Sequence, residues 1–108
     1  DGHTLATASD DHTVRIWDLR KQSCVYTLAA HSAMITTVKF APRSGEFILT
    51  SSHDKTCKLW NTRDFKLLAE MAGHDGHVMG ADITSDEKHF ATASHDRSWK
   101  FWAHESEF

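Results

Sequence analysis

The sequence is short of most features that mark a protein's compartment or chemistry at a glance. It has two cysteines in 108 residues, Cys24 and Cys57, too few for a disulfide framework and consistent with a reducing compartment. One proline and five glycines punctuate it. No apolar run approaches the ~18 residues that a membrane helix needs, and the opening DGHTLATASDD has no basic-then-apolar targeting pattern. There is no excess of positive charge either. Twelve basic residues against fifteen acidic ones give a net charge of −3, which argues against a dedicated nucleic-acid-binding surface. No block of like charge marks a tail, and a hydrophobic content of 40% is too high for a disordered one. Histidine is the exception, with nine copies. Fully protonated, they would turn −3 into +6, so the surface charge is expected to change sign in mild acid.

Self-similarity carries more information than composition. SDDHTVRIW (residues 9–17), SHDKTCKLW (52–60) and SHDRSWKFW (94–102) align without gaps. Trp17, Trp60 and Trp102 stand 43 and 42 residues apart, and Asp11, Asp54 and Asp96 keep the same spacing, each six residues before its Trp. His31 and His74 are also 43 apart. The one missing residue falls between Ile83 and Thr92, where a turn absorbs it.

Between these markers the pattern alternates with period two. Val14 and Ile16 face one way, and Arg15 and Trp17 the other; CKLW and WKFW repeat this with Cys57/Leu59 and Trp99/Phe101. Short β-branched or aromatic runs separated by turns such as APRSG and AGHDG predict strands at 4–8, 13–18, 23–28, 34–40, 46–51, 56–61, 66–71, 77–83, 89–93 and 98–103. The expected class is all-β.

A unit of this length with four strands, a Gly-His dipeptide and a Trp-Asp end resembles a WD-repeat β-propeller blade. The matching residues are Gly73-His74 (Ala30-His31 in the earlier copy), the Asp of each turn, and Trp17-Asp18. The later ends drift to Trp60-Asn61 and Trp102-Ala103. The resemblance implies blades of four-stranded antiparallel sheets: the end of one blade over 1–30, a complete blade over 31–72, a last blade lacking its outer strand over 73–103, and a tail over 104–108. Those about two and a half blades would be a C-terminal slice of a larger propeller of about seven blades. A slice exposes apolar faces at both ends, so the segment alone is expected not to remain a stable monomer.

The same resemblance implies a buried polar chain in which the turn Asp accepts from the His, the His meets a strand hydroxyl, and the hydroxyl reaches the Trp indole. Here that set is His31, Thr50, Asp54 and Trp60, then His74, Thr92, Asp96 and Trp102, with Asp11 and Trp17 as the matching members of the first copy. Ser52 and Ser94 are alternative hydroxyls. Partner contacts in resembling proteins come from residues three and five after the His and from the residue before the turn Asp. Carried over, these are Met34, Thr36 and His53, then His77, Met79 and His95, with Asp10 in the first copy. Two methionines and three histidines make a soft, adaptable surface suited to protein recognition. Trp99 takes the place of Val14 and Cys57, where an aromatic is expected to fill a gap between blades; the other reading is a contact aromatic at the domain edge.

An Asp–His–hydroxyl set also invites a hydrolase reading. Its duplication in register, with no Gly-x-Ser-x-Gly elbow, argues for structure instead. His74, Asp75 and His77 tempt a metal reading, yet neither CxxC nor HExxH is present. No catalytic, cofactor or metal residue is therefore expected. The phrases CVYTLAAH and AGHDGHVMGADITSD, with SHDR before the final Trp, are similar to a splicing branch of the WD-repeat family. That likeness implies a nuclear, non-enzymatic scaffold in pre-mRNA splicing. Its partners would be proteins of a small nuclear ribonucleoprotein, with small nuclear RNA nearby but contacted weakly or indirectly, no membrane, and the remaining blades of its own propeller. The other implied reading is an adaptor elsewhere, such as a ubiquitin-ligase substrate receptor or a signalling scaffold.

Overall fold

The structure, a computed structural model, describes residues 4–9, 11–72 and 74–103. Among the described residues it is built from ten strands and no helix. β1 (Thr4–Ala8), β2 (Thr13–Asp18) and β3 (Ser23–Ala29) form one sheet. β4 (Ile35–Phe40), β5 (Phe47–Ser52), β6 (Thr56–Asn61) and β7 (Leu67–Ala72) form the second. β8 (Val78–Ile83), β9 (His89–Ser94) and β10 (Trp99–Ala103) form the third. Neighbouring strands pair antiparallel in sequence order throughout, as meandering propeller blades do. Every predicted strand is present, with ends displaced by no more than a residue.

The second sheet lies between the other two, and β5 records the consequence. All six of its residues are buried. Alternation sends Ile48 into a cluster with Val14, Ile16, Leu28, Ala30, Ile35 and Trp60 on the side of the first sheet. Phe47 and Leu49 point the other way, joining Ala41, Cys57, Leu59, Met71, Val78 and Phe90. Phe47 meets Phe90 edge to face at 5.8 Å. Each fully buried aliphatic contributes about 1.5–3 kcal/mol relative to exposure, so sheet-on-sheet packing supplies most of the cohesion. Polar contacts tie the last two sheets together at their rims. Lys39 pairs with Asp82 at 3.0 Å, and the Glu87 carboxylate accepts from the Arg43 and Ser44 amides and the Ser44 hydroxyl.

Irregularities recur with the repeat. β4 bulges between Ile35 and Thr37 and β8 between Val78 and Gly80, both starting four residues after the recurrent His, His31 or His74. β2 and β6 shift register at their tryptophans, Trp17 and Trp60. His12, Lys55 and Arg97 all adopt positive φ, at 71°, 75° and 70°. Phe65 also sits at φ 57°, in a turn where its ring stacks on Tyr26 at 4.5 Å.

The outward faces of the first and third sheets are apolar and open. Leu5 and Leu19 lie about half exposed on one, and Trp99 is 73% exposed on the other. Trp99 is therefore not seated between any two of the three described sheets. Val14 and Cys57, its counterparts, are buried because another sheet packs over them; among the described residues none covers Trp99. Purified alone, the 108-residue segment is expected to sediment as associated species. A monomeric mass together with a cooperative melt would contradict this.

Candidate functional site

The polar residues singled out by the repeat gather around the β1–β2, β5–β6 and β9–β10 hairpins. Each turn Asp first organises its own hairpin. Asp11, Asp54 and Asp96 accept the backbone N–H two residues on, from Thr13, Thr56 and Ser98, at 3.2, 3.0 and 2.9 Å. This closure holds the intervening residue at positive φ without glycine. Thr13, Thr56 and Ser98 also donate their hydroxyls to the same carboxylates. These three hydroxyls recur at the repeat spacing and belong to the site; the sequence reading did not single them out.

In the middle sheet the polar chain is complete. The Trp60 indole donates to the Thr50 hydroxyl at 3.0 Å, Thr50 lies 2.8 Å from His31 Nε2, and His31 Nδ1 lies 2.8 Å from Asp54. An indole can only donate and a carboxylate can only accept, so with a neutral His31 the direction is fixed from both ends. Thr50 accepts from Trp60 and donates to Nε2, and Nδ1–H donates to the carboxylate. Thr50 and the His31 side chain have essentially no solvent exposure. Burial holds the His31 imidazole below its ordinary range, in the neutral form this chain requires, against the pull of Asp54. Burial pushes the Asp54 carboxyl upward, but Thr56, His31 and the Ser32 amide together outweigh it and hold it low. Ser52, the alternative hydroxyl, is used elsewhere: it donates to the Met34 carbonyl and accepts from the Asp54 amide.

The third sheet repeats the inner half of this chain. Trp102 donates to Thr92 at 3.0 Å, and Thr92 lies 2.7 Å from His74 Nε2. The outer half differs from expectation. His74 Nδ1 is 3.9 Å from Asp96, beyond hydrogen-bond reach, and meets Ser98 at 3.3 Å instead. Asp96 turns toward Ser98 and the Asp75 amide, which hold its carboxyl far below the usual range. Gly76 makes that approach possible, because a Cβ there would lie 2.9 Å from the Asp96 nitrogen. In the first sheet Trp17 donates to Thr7 at 2.8 Å, and Asp11 is joined by Arg15.

The expected contact residues divide. Met34, Met79, His77 and His95 are exposed, and His53 is half-buried. Thr36 is a correction: its hydroxyl is spent between sheets, donating to the Val78 carbonyl at 2.8 Å with Ser51 at 2.8 Å, because the bulge turns it inward. Asp10 lies outside the described residues, as do Gly73 and the 104–108 tail. Adjacency of two sheets also brings together what spacing did not suggest. The His53 and His77 rings stack at 4.3 Å and 12°, and His95 continues the row 6.1 Å from His77 at 14°.

The chemistry of these groups is closed. Both nitrogens of His31 and both of His74 are engaged, so neither ring offers a free base. His74 is buried and His77 exposed, so the two do not converge on one ion. No group of three or more metal-ligating side chains is arranged around a common point among the described residues. Burial drives the Cys57 thiol up to about 12, which leaves it unreactive. The recurrent basic residue serves local pairing: Lys58 donates to the Ala30 carbonyl at 2.9 Å beside the Trp60 ring.

Two stability measurements follow from this geometry. Asp54→Ala is expected to cost about 1–3 kcal/mol by chemical denaturation, because it removes the 2.8 Å acceptor of the buried His31 Nδ1–H and leaves only the longer Thr56 contact. Asp96→Ala is expected to cost less, since Asp96 lies 3.9 Å from His74 and has no hydrogen bond to it to lose. Acid should act on His31 first. Its folded-state pKa is depressed, so its contribution is full above the ordinary imidazole value of about 6.5 and falls as pH drops below that. The depressed carboxyls follow below about pH 4. His31→Gln should lower the melting temperature at neutral pH and flatten its decline between about pH 7 and 5.

Comparison with known proteins places this geometry. Residues 1–18, 22–61 and 65–103 match the family described as "WD domain, G-beta repeat". The matched units are offset from the sheets: the unit 22–61 holds β3 of one sheet with β4, β5 and β6 of the next. A mouse "U4/U6 small nuclear ribonucleoprotein Prp4" is 66% identical over 61 residues, 56% of this chain and 12% of that protein. The "U3 small nucleolar RNA-associated protein 12" of Saccharomyces cerevisiae is 30% identical over 102 residues, 94% of this chain and 10% of that protein. A "Probable E3 ubiquitin ligase complex SCF subunit sconB" of Arthroderma otae is 48% identical over 44 residues, 41% of this chain and 6% of that protein. The chain thus spans at most about an eighth of these relatives. With three antiparallel sheets and the repeat matched almost end to end, the chain belongs to the WD-repeat family of β-propeller proteins.

Proposed function

We propose that this chain is part of a non-enzymatic scaffold of the U4/U6 small nuclear ribonucleoprotein, acting in the nucleus in pre-mRNA splicing. WD repeats are protein-interaction modules, and the buried polar chains serve to hold the sheets rigid rather than to turn over a substrate. The observation that carries the finer reading is the 66% identity over 61 residues to the mouse Prp4 component of that particle. Net negative charge supports contact with the particle's proteins more than a grip on its RNA. We assign partner contact to the edge carrying Met34, His53, His77, Met79 and His95, where side chains are presented outward on bulges and hairpins. The open outer faces of the first and third sheets are assigned to the remaining blades of the same propeller, with 31–72 as the complete blade. The similarity to a ubiquitin-ligase subunit supports one alternative, an adaptor in another assembly.

The test is capture of the full-length protein from nuclear extract. Recovery of U4 and U6 RNA with particle proteins is the expected result; recovery of ligase subunits without that RNA would favour the adaptor. Met34→Ala combined with Met79→Ala should weaken capture and leave the melting temperature unchanged. A fall in melting temperature would reassign both residues to packing.

A further inference from the structure

A row of stacked imidazoles runs along the junction of the second and third sheets. His53 sits before the turn of the β5–β6 hairpin, His95 before that of β9–β10, and His77 in the segment leading into β8. Backbone bonds fix the frame: the His53 amide donates to the Met34 carbonyl at 2.9 Å, and the His95 amide to the His77 carbonyl at 2.8 Å. The rings then lie nearly parallel, at 4.3 and 6.1 Å. Parallel, displaced ring planes cannot aim their lone pairs at one point, so the row is not a metal site. His77 and His95 are exposed, whereas His53 is half-buried and its Nε2 is buried with no hydrogen-bond partner among the described residues. A buried polar atom left unmade is expensive, so the row carries hydrogen-bonding capacity that the described residues do not use.

The charged groups in the flanking turns do not serve the row. Asp54 is committed to Thr56, Ser32 and His31, and Asp96 to Ser98 and the Asp75 amide. Asp75, Lys55 and Arg97 are exposed, and no described ion pair involves His53, His77 or His95. We propose that His53, His77 and His95 form an anion-accepting site for an acidic segment of a protein partner, engaged more tightly as the row takes up a proton. This deepens, and rests on, the assignment of partner contact to this edge. A partner carboxylate supplies the missing counter-charge and an acceptor for the ring N–H groups. Met34, whose carbonyl holds His53 in place, adds exposed apolar surface beside it.

Linkage makes this measurable, because binding that takes up one proton tightens by up to about tenfold per pH unit. Fluorescein-labelled hexaglutamate is titrated into the full-length protein at about pH 7.5 and 6.0, with hexaglutamine as control. Tightening of roughly fivefold or more for hexaglutamate alone is expected, and it should disappear in His77→Gln combined with His95→Gln. Both residues are exposed, and an unchanged melting temperature confirms that the variant is folded. A flat response in the wild type, or an equal response in that variant, overturns the proposal. If Met34→Ala with Met79→Ala weakens particle capture while hexaglutamate shows no pH response, the imidazole site fails and the contact edge stands. If the pH response holds while capture is untouched, the contact edge fails alone.

Discussion

The structure depends on the polar groups sealed inside the blades being paired along directed chains. Trp60, Thr50, His31 and Asp54 form one directed chain that starts at an indole able only to donate and ends at a carboxylate able only to accept. Each link requires the next. The chain ties β6 to β5, then to the segment entering β4, then to the β5–β6 hairpin, so one blade is clamped at four points. Hydrophobic packing would hold the sheets together without it, but would tolerate slippage. A hydrogen-bond chain in a low-dielectric gap does not.

The turn aspartates show how one side chain serves two scales. Locally, Asp54 closes its hairpin and lets Lys55 sit at positive φ. Globally, it receives His31. In the third sheet the local task is kept and the global one is loosened: Asp96 holds Ser98 and the Asp75 amide, and His74 reaches only Ser98. The difference resides in how the loop at Gly76 closes on the hairpin, not in the four residues that define the chain.

Rigidity of this kind suits a scaffold. Strands fixed on both faces present bulges and hairpins at a set distance, and the repeat allows neighbouring blades to place different side chains at equivalent points. The imidazole row arises from that logic. His53 and His95 occupy the same position in successive hairpins, and His77 replaces the Met34 of the earlier copy. Only the step from one sheet to the next makes them neighbours.

The strands, the repeat and the members of the buried chain were legible in the sequence, because period-two alternation and a 42–43 residue spacing are properties of the chain alone. The recurrence of Thr13, Thr56 and Ser98 was equally available there, though masked by the commonness of hydroxyls near turns. What the sequence could not decide were contacts between sheets. It assigned Thr36 to the surface, but a bulge turns that hydroxyl to Val78. It favoured a gap for Trp99 over an edge contact, and no described sheet covers it. Thr50 and Ser52 were equivalent as residues and separated only by pairing register, which sets Thr50 between His31 and Trp60. Local pattern is written in spacing along one strand; which side chain meets which across a gap depends on how two twisted sheets dock, and that is a property of the folded molecule alone.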